Sequence, residues 1–246
     1  MDGQDDRLAR LLASLNRKER HWLLAGVLGN DRPPLSETFV AALGAALEGS
    51  GCPPVPRTAW WSIDYHLDWI AAALALLRRA DDGGGKVGYG KVKNADAGYG
   101  MTACGKPVQL LRGNQEDADL LICFERRLIV VEAKAGTGWS REQMDGKVKR
   151  LWDIKKLGAP FGVEVHLVLT SPRSTNVHLG SPDCCVRKSW KEFLGPEGRP
   201  FHMPMTFGGA EGLYQARRTG RGTSGRYDQV EFVELRAPDA PGQTPG

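Results

Sequence analysis

The first third of the chain places its apolar residues at helical spacing. Leucines recur three and four positions apart between residues 7 and 28, which predicts two short helices. Asn16 is expected to cap the second helix, and Gly29 is expected to end it. A third helix is predicted to follow Ser36 and to end near Gly49. The chain therefore begins as a helical region.

A fourth helix is predicted from Ser62 until the glycines that begin at Gly83. Its apolar stripe consists of Ile63, Leu67, Ile70, Leu74 and Leu77. After this helix, the sequence predicts more strands than helices. Strands are predicted at Val108–Leu111, in two apolar runs between residues 117 and 133, and at Glu164–Thr170, His202–Phe207 and Gln229–Leu235; helices are predicted at Arg141–Lys156 and Lys188–Leu194.

This order of elements predicts a mixed α/β fold. An N-terminal helical region at residues 1–60 precedes an α/β domain at residues 61–236. The proline- and glycine-rich tail at residues 237–246 is expected to be disordered.

Composition changes this picture little. The chain has 246 residues, of which 41% are hydrophobic and 25% charged, as is usual for a globular protein. We expect no membrane span and no secretory signal. Five scattered cysteines do not suggest a disulfide framework, so a reducing, cytoplasmic location is expected. The net charge of +4 permits a polyanionic partner without requiring one.

The two apolar runs between residues 117 and 133 are bordered by three charged residues, Asp119, Glu132 and Lys134. A β-hairpin accounts for their positions. If the hairpin turns between Glu125 and Arg126, then Asp119 faces Glu132 across the strands. Alternation along the strand also places Lys134 on the face of Glu132. The same register pairs Cys123 with Leu128 and Leu121 with Val130, and it leaves an apolar opposite face of Leu120, Ile122, Ile129, Val131 and Ala133.

Two carboxylates held this close repel each other unless a cation or a proton lies between them. Mg²⁺ prefers one or two carboxylates together with water and phosphate oxygens. The neighbouring Lys134 could hold a phosphate or polarise an attacking water. The pattern thus favours metal-assisted hydrolysis of a phosphodiester.

The spacing of these residues resembles the PD-(D/E)XK nuclease superfamily, whose fold is called restriction-endonuclease-like. The resemblance lies in Asp119, twelve intervening residues, Glu132-Ala133-Lys134 and then Gln143 on the next helix. It covers roughly residues 62–171 and implies an αβββαβ core.

Roles follow from the resemblance residue by residue. Asp119, Glu132 and the backbone carbonyl of Ala133 would bind Mg²⁺, for which Mn²⁺ is expected to substitute. Lys134 would assist the attacking water, and Gln143 would support the site. One departure is Ala118, which stands where many members have proline.

Four further residues are candidates for the site: Gln143, Asp68, His66 and Glu37. Gln143 also completes a capping box with Ser140. Asp68 lies on the predicted fourth helix, where the family commonly places an acid, so it is a candidate metal ligand; His66 flanks it. Glu37 is a candidate as well, although an acid in the first turn of a helix needs no other explanation.

Candidate nucleic-acid contacts lie outside the core pattern. The glycine-rich loop carries three lysines, of which Lys91 is the selected candidate. Its GxGxxG and GxxxxGK matches follow a helix rather than a strand, so they are not interpreted as phosphate loops. A C-terminal loop with four arginines and no acid is the strongest candidate for backbone contacts: Arg217, Arg218, Arg221 and Arg226.

These observations predict a Mg²⁺-dependent nuclease, most simply a DNA endonuclease of a bacterial defence or DNA-processing system, with double-stranded DNA as partner and a homodimer as a possibility. One alternative is an inactive nucleic-acid-binding or scaffold module that keeps the fold. Another is an ordinary α/β interaction domain in which Asp119, Glu132 and Lys134 form a surface ion network.

Overall fold

The computed structural model describes residues 7–15, 18–30, 33–82, 91, 93–95, 97–113, 116–135, 139–172, 183–205, 213–221 and 227–235. Over these ranges it has six α-helices and seven strands. They are α1 (Arg7–Ser14), α2 (Glu19–Leu28), α3 (Glu37–Ala46), β1 (Trp60–His66), α4 (Leu67–Asp82), β2 (Asp117–Phe124), β3 (Arg127–Ala133), α5 (Arg141–Gly158), β4 (Glu164–Ser171), α6 (Cys184–Trp190), β5 (Phe201–Pro204), β6 (Leu213–Arg221) and β7 (Tyr227–Leu235).

A five-stranded sheet in the order β1-β2-β3-β4-β5 organises the fold. β1, β2 and β3 are antiparallel neighbours, whereas β4 runs parallel to β3 and β5 parallel to β4. Parallel neighbours need a crossover connection, and α5 and α6 lie in the two crossovers. The class is mixed α/β, as predicted. The predicted αβββαβ order is present as α3, β1, β2, β3, α5 and β4, with α4 inserted between β1 and β2.

Both faces of the sheet are buried. Leu121 and Val130 pack on one face with residues of α1, α4, α5 and α6. Ile122 and Ile129 pack on the other face with residues of α3. The prediction that the second face belongs in the core is confirmed, and the first face is buried as well.

The N-terminal helices pack against this sheet. Leu8 and Leu12 of α1 belong to the first buried cluster, and the Tyr65 hydroxyl donates to the Leu12 carbonyl at 2.9 Å. The predicted caps of Ser36 and Gly29 are confirmed: Ser36 Oγ accepts from the Phe39 amide, and Gly29 ends α2 at φ 62°. The prediction that Asn16 caps α2 was wrong, because Lys18 occupies the N-cap position and makes no side-chain cap hydrogen bond; Asn16 itself lies outside the described residues.

The prediction of a helix from Ser62 was wrong, because residues 60–66 form strand β1. Trp60, Trp61, Ile63 and Tyr65 favour an extended strand, and β2 supplies its partner from more than fifty residues away. Helix α4 begins only at Leu67, where the Asp68 amide donates to His66 Nδ1 at 3.1 Å.

Three other predictions need correction. Val108–Leu111 is not a strand; only isolated bridges join Gln109 to Ala95 and Pro107 to Met101. Helix α6 begins at Cys184, four residues earlier than predicted, where Asp183 caps it. The predicted arginine loop is largely strand β6, which pairs with β7 in a separate two-stranded sheet.

Cys104 and Cys185 form a disulfide, with their Cα atoms 5.5 Å apart. This pair was not predicted, because 81 residues separate the two cysteines along the chain. Among the helices in the described ranges, none is long and apolar enough to cross a membrane.

Candidate active site

The hairpin of β2 and β3 has the predicted register. Leu121 pairs with Val130, and Cys123 pairs with Leu128. The two turn residues, Glu125 and Arg126, have φ values of 43° and 61°. Positive φ at both turn positions matches the right-handed twist of the strands, which fixes the register at this end of the hairpin.

The hydrogen-bonded ladder ends one pair before the two acids, at Leu120 and Val131. Beyond it, Asp119 Oδ2 accepts a hydrogen bond from the Ala133 amide at 2.7 Å. The Asp119 side chain thus replaces a backbone acceptor where the strands part. Asp119 is exposed and Ala133 is half-buried, so this end of the hairpin is open to solvent.

Glu132 has the opposite environment, with only 2% of its surface exposed. Its Oε2 is ion-paired with the Lys147 ammonium, and Lys147 also donates to the Asp117 carbonyl at 2.7 Å. Its other oxygen, Oε1, is buried and has no hydrogen-bond partner in the described part of the chain. Glu132 therefore has one satisfied oxygen and one that is available to a ligand.

Burial raises the pKa of Glu132 to about 7. The charge of Lys147 acts in the opposite direction, and the charge of Asp119 raises the pKa further. Asp119 and Glu132 are therefore close enough to influence each other electrostatically, as the predicted site requires. A cation between them would favour the ionised form of both acids.

Lys147 is the residue that sequence reasoning missed. It lies on α5 with 5% of its surface exposed, between the buried residues Met144 and Leu151. A lysine inside the apolar stripe of a helix is the signal that could have indicated a buried partner, since lysine is seldom buried unpaired. Its partner depends on how α5 packs against β3.

Lys134 and Gln143 lie at the two ends of the connection between β3 and α5. The Lys134 amide donates to the Thr170 carbonyl at 2.9 Å, and its half-buried side chain has no partner among the described residues. Gln143 is exposed, and its backbone N–H donates to Ser140 Oγ, which confirms the Ser140 half of the predicted capping box. Within the described ranges, neither side chain contacts Asp119 or Glu132.

Asp68 serves a different cluster. Its Oδ2 accepts from the amides of Arg112 and Gly113 at 2.7 and 3.1 Å, and its Oδ1 is 2.6 Å from Arg150. These bonds hold the segment before β2 against α4 and α5. Its described contacts include neither Asp119 nor Glu132, so the structure does not bring this candidate ligand to the other two.

A buried ionic network continues from Asp68. Arg150, with 1% of its surface exposed, donates to the carbonyls of Gln109 and Leu110. Asp153 pairs with Arg112, and burial raises the pKa of Asp153 while it lowers the pKa of Arg150. Because these contacts fix irregular backbone, they explain why residues 108–111 are ordered without forming a strand.

The other candidates from the sequence lie apart from this site. Glu37 is exposed and pairs with Arg57 at 2.5 Å. Lys91 is exposed, whereas Lys86 and the glycines around it lie outside the described residues. Among the C-terminal arginines, Arg217, Arg218 and Arg221 lie on β6, and Arg226 is outside the described residues. Arg217 pairs in register with Glu231, so the neighbouring strand β7 brings an acid next to this acid-free segment.

A groove lies beside the exposed acid. Its volume is about 360 Å³, and most of its lining is apolar. Asp119, Ala133 and Thr170 form the wall at the sheet, and residues of α3 and β5 complete it, among them Phe39 and Met203. The groove gives Asp119 room for a ligand larger than water.

A second group of potential metal ligands consists of Asp183, Cys184 and Cys185, whose ligand atoms lie within 4.8 Å of one another. Cys185 belongs to the disulfide, and the Asp183 carboxylate binds Lys149 and the Cys185 amide. The ligand atoms of Asp183 and Cys185 are already engaged, which leaves only the free thiol of Cys184, so we assign no metal site there.

Comparison with known proteins adds one weak similarity. No family model and no curated protein matches the chain. The small subunit of the heterodimeric restriction endonuclease R.BspD6I is similar in structure, at 13% sequence identity and a TM-score of 0.21. The match covers 56% of this chain and 62% of that one. A similarity of this size establishes neither a shared fold nor a shared activity.

Proposed function

We propose that this chain is a Mg²⁺-dependent nuclease that hydrolyses phosphodiester bonds in DNA. The observation that carries the proposal is the closeness of Asp119 and Glu132 at the open end of the hairpin, where the charge of Asp119 raises the pKa of Glu132. One acid is exposed beside a groove, and the other is buried with an oxygen that has no hydrogen-bond partner among the described residues. A hard divalent cation would satisfy both, and Mn²⁺ is expected to substitute for Mg²⁺.

The residues present fit such an ion. Asp119 and Glu132 would hold it, since each offers a carboxylate oxygen and the two charges raise the free energy of the site when no cation lies between them. A bound Mg²⁺ supplies a Lewis acid that stabilises charge on phosphate oxygens. Lys134, whose ammonium has no partner in the described ranges, would donate to a phosphate oxygen or orient the attacking water.

Lys147 has a distinct part in this proposal. From helix α5, its ammonium balances the charge of Glu132 by pairing with Oε2, and Oε1 keeps no hydrogen-bond partner among the described residues. It thereby holds the carboxylate in one orientation, which favours a preorganised ligand. Lys147 would thus act as a positioning residue through Glu132.

The same ion pair supports a second candidate function. Because Lys147 already neutralises Glu132, the chain can fold without a cation, and an inactive nucleic-acid-binding module would look similar here. Activity therefore has to be measured to separate the two functions.

The test is incubation with plasmid, linear duplex, single-stranded DNA and RNA in Mg²⁺ or Mn²⁺. We expect cleavage of DNA that is abolished by Lys134→Ala and by Glu132→Gln. The matched control is Glu142→Gln, an equal change in charge at an exposed position on α5. If no substrate is cut in either metal although the protein binds DNA, the binding module is the correct assignment.

A further inference from the structure

The outer surface of α5, α6 and the turn after α6 carries a cluster of basic side chains that is not part of the candidate active site. Six basic side chains contribute, and we call this surface the α5–α6 basic face: Lys149, Lys155, Lys156, Arg187, Lys188 and Lys191. Two acids lie among them, and each is bound by one lysine. Asp183 pairs with Lys149 and Glu192 with Lys155, both at 2.7 Å.

The remaining charge is not neutralised locally. Lys156, Lys188 and Lys191 are exposed and have no acidic partner within ion-pair distance in the described part of the chain. The Lys155 hydrogen bond lowers the pKa of Glu192, and the charges of Lys156 and Lys188 lower it further. The α5–α6 basic face therefore has a positive potential even next to Glu192.

A buried tryptophan fixes two of these lysines. The ring of Trp152 lies 4.5 Å from the Lys156 ammonium and 5.5 Å from that of Lys188. Both distances are within the range of cation–π attraction, and Trp152 itself is only 4% exposed. The two ammonium groups are thus held near each other on a rigid platform, which reduces the entropy lost when a ligand orders them.

A pocket extends the positive surface beyond α5. It has a volume of about 370 Å³ and includes Lys149 in its lining together with Lys106 and Arg112. Cys104, also in its lining, is joined by the disulfide to Cys185 at the start of α6, so the loop that carries Lys106 is tied to the basic face. The face and the pocket therefore form one continuous surface.

The chemistry of this surface favours one class of partner. The exposed large apolar side chains in the described ranges lie on α2 and at Met101 and Leu111, and the basic face has none. Membrane-surface binding uses an apolar face, and protein interfaces are enriched in aromatic anchors. A phosphate backbone requires only closely spaced cations, since each DNA strand has one phosphate per about 3.4 Å of helix axis.

We propose that the α5–α6 basic face binds the phosphate backbone of a nucleic acid. Lys149, Trp152 and Lys156 lie on the side of α5 opposite Lys147, which contacts Glu132. The face is therefore a second contact surface, separate from the candidate active site, and its binding does not depend on hydrolysis. It adds to the C-terminal arginines that the sequence indicated.

The test measures binding of a labelled duplex by fluorescence anisotropy in EDTA, so that cleavage does not contribute. The variant replaces Lys156, Lys188 and Lys191 with Gln. Three lost phosphate contacts should reduce the slope of log K against log salt by about 2–3 units and weaken binding roughly 100-fold at low salt. The matched control removes three exposed arginines on other surfaces: Arg20, Arg57 and Arg199.

The control variant loses the same net charge, so it should change the slope by less than about one unit. If the two variants change the slope equally, net charge alone drives binding. If the lysine variant leaves the slope unchanged, the contact lies elsewhere. Either result overturns the proposal. Melting temperatures of both variants should match the unmodified chain, since all six side chains are on the surface. Normal binding with no cleavage in Mg²⁺ would refute the proposed nuclease activity and leave this face intact.

Discussion

The buried carboxylate of Glu132 should make the stability of the folded chain depend on pH. Glu132 is 2% exposed, and burial raises its pKa from 4.5 to about 7. In the unfolded chain the same group releases its proton near pH 4.5. The folded state therefore binds this proton more tightly, and its stability is greatest below that pH and falls as pH rises through about 7.

The size of this effect follows from the shift. Each pKa unit corresponds to about 1.4 kcal/mol, so ionised Glu132 lowers the free energy of unfolding by about 3 kcal/mol above pH 7. Most of that loss, roughly 2–3 kcal/mol, falls between pH 5 and pH 8 by the same relation. The group needs little correction for solvent screening, because it is almost fully buried.

Urea unfolding between pH 5 and pH 8 measures the effect directly. Replacing Glu132 with Gln removes the titrating group, so the difference in unfolding free energy between the two proteins should change by that amount across the range. Replacing the exposed Glu142 with Gln should leave the pH dependence unaltered. Parallel pH profiles for the Glu132 variant and the unmodified chain would refute the raised pKa that burial gives Glu132.

Three further predictions concern the site and its surroundings. Mg²⁺ or Mn²⁺ should raise the melting temperature, and Asp119→Asn should remove this gain, since a metal bound only by the folded state stabilises it. Lys147→Met should lower the free energy of unfolding by about 3–5 kcal/mol in urea at pH 8, because it leaves a buried carboxylate unpaired; the double variant with Glu132→Gln should recover most of that loss. The last prediction replaces four C-terminal arginines with alanine: Arg217, Arg218, Arg221 and Arg226. In a salt titration of DNA binding, the slope of log K against log salt should then decrease by two to four units, roughly one per phosphate contact. An unchanged slope would exclude these arginines as contacts.

The parts of the fold that sequence reasoning predicted depend on local signals. The hairpin register followed from two apolar runs and a two-residue turn, and the ladder confirms it. Helix α5 followed from the Ser140 cap and the apolar spacing after it. In both cases the residues that decide the structure lie within a short stretch of chain.

The parts that it missed depend on distant partners. The aromatic residues of β1 precede a strong helical stripe, and only pairing with β2 shows that they form a strand. The arginine segment of β6 reads as a loop because glycines recur in and directly after it, yet β7 pairs with it. Lys147 and the disulfide were missed for the same reason, since each contact joins elements that the sequence alone does not place together.

The buried pair of Glu132 and Lys147 bears on the choice between a catalytic site and an inactive module. Removing two charges from water costs several kcal/mol for each ion, and apolar residues of similar volume often stabilise a fold as well or better. Stability therefore does not require this pair. An inactive module would need only a neutral, packed strand end. Here the charge of Asp119 raises the pKa of Glu132, and one Glu132 oxygen has no hydrogen-bond partner in the part of the chain that the structure describes. A bound cation would account for both features, because it would relieve the repulsion between Asp119 and Glu132 and would bind the Glu132 oxygen.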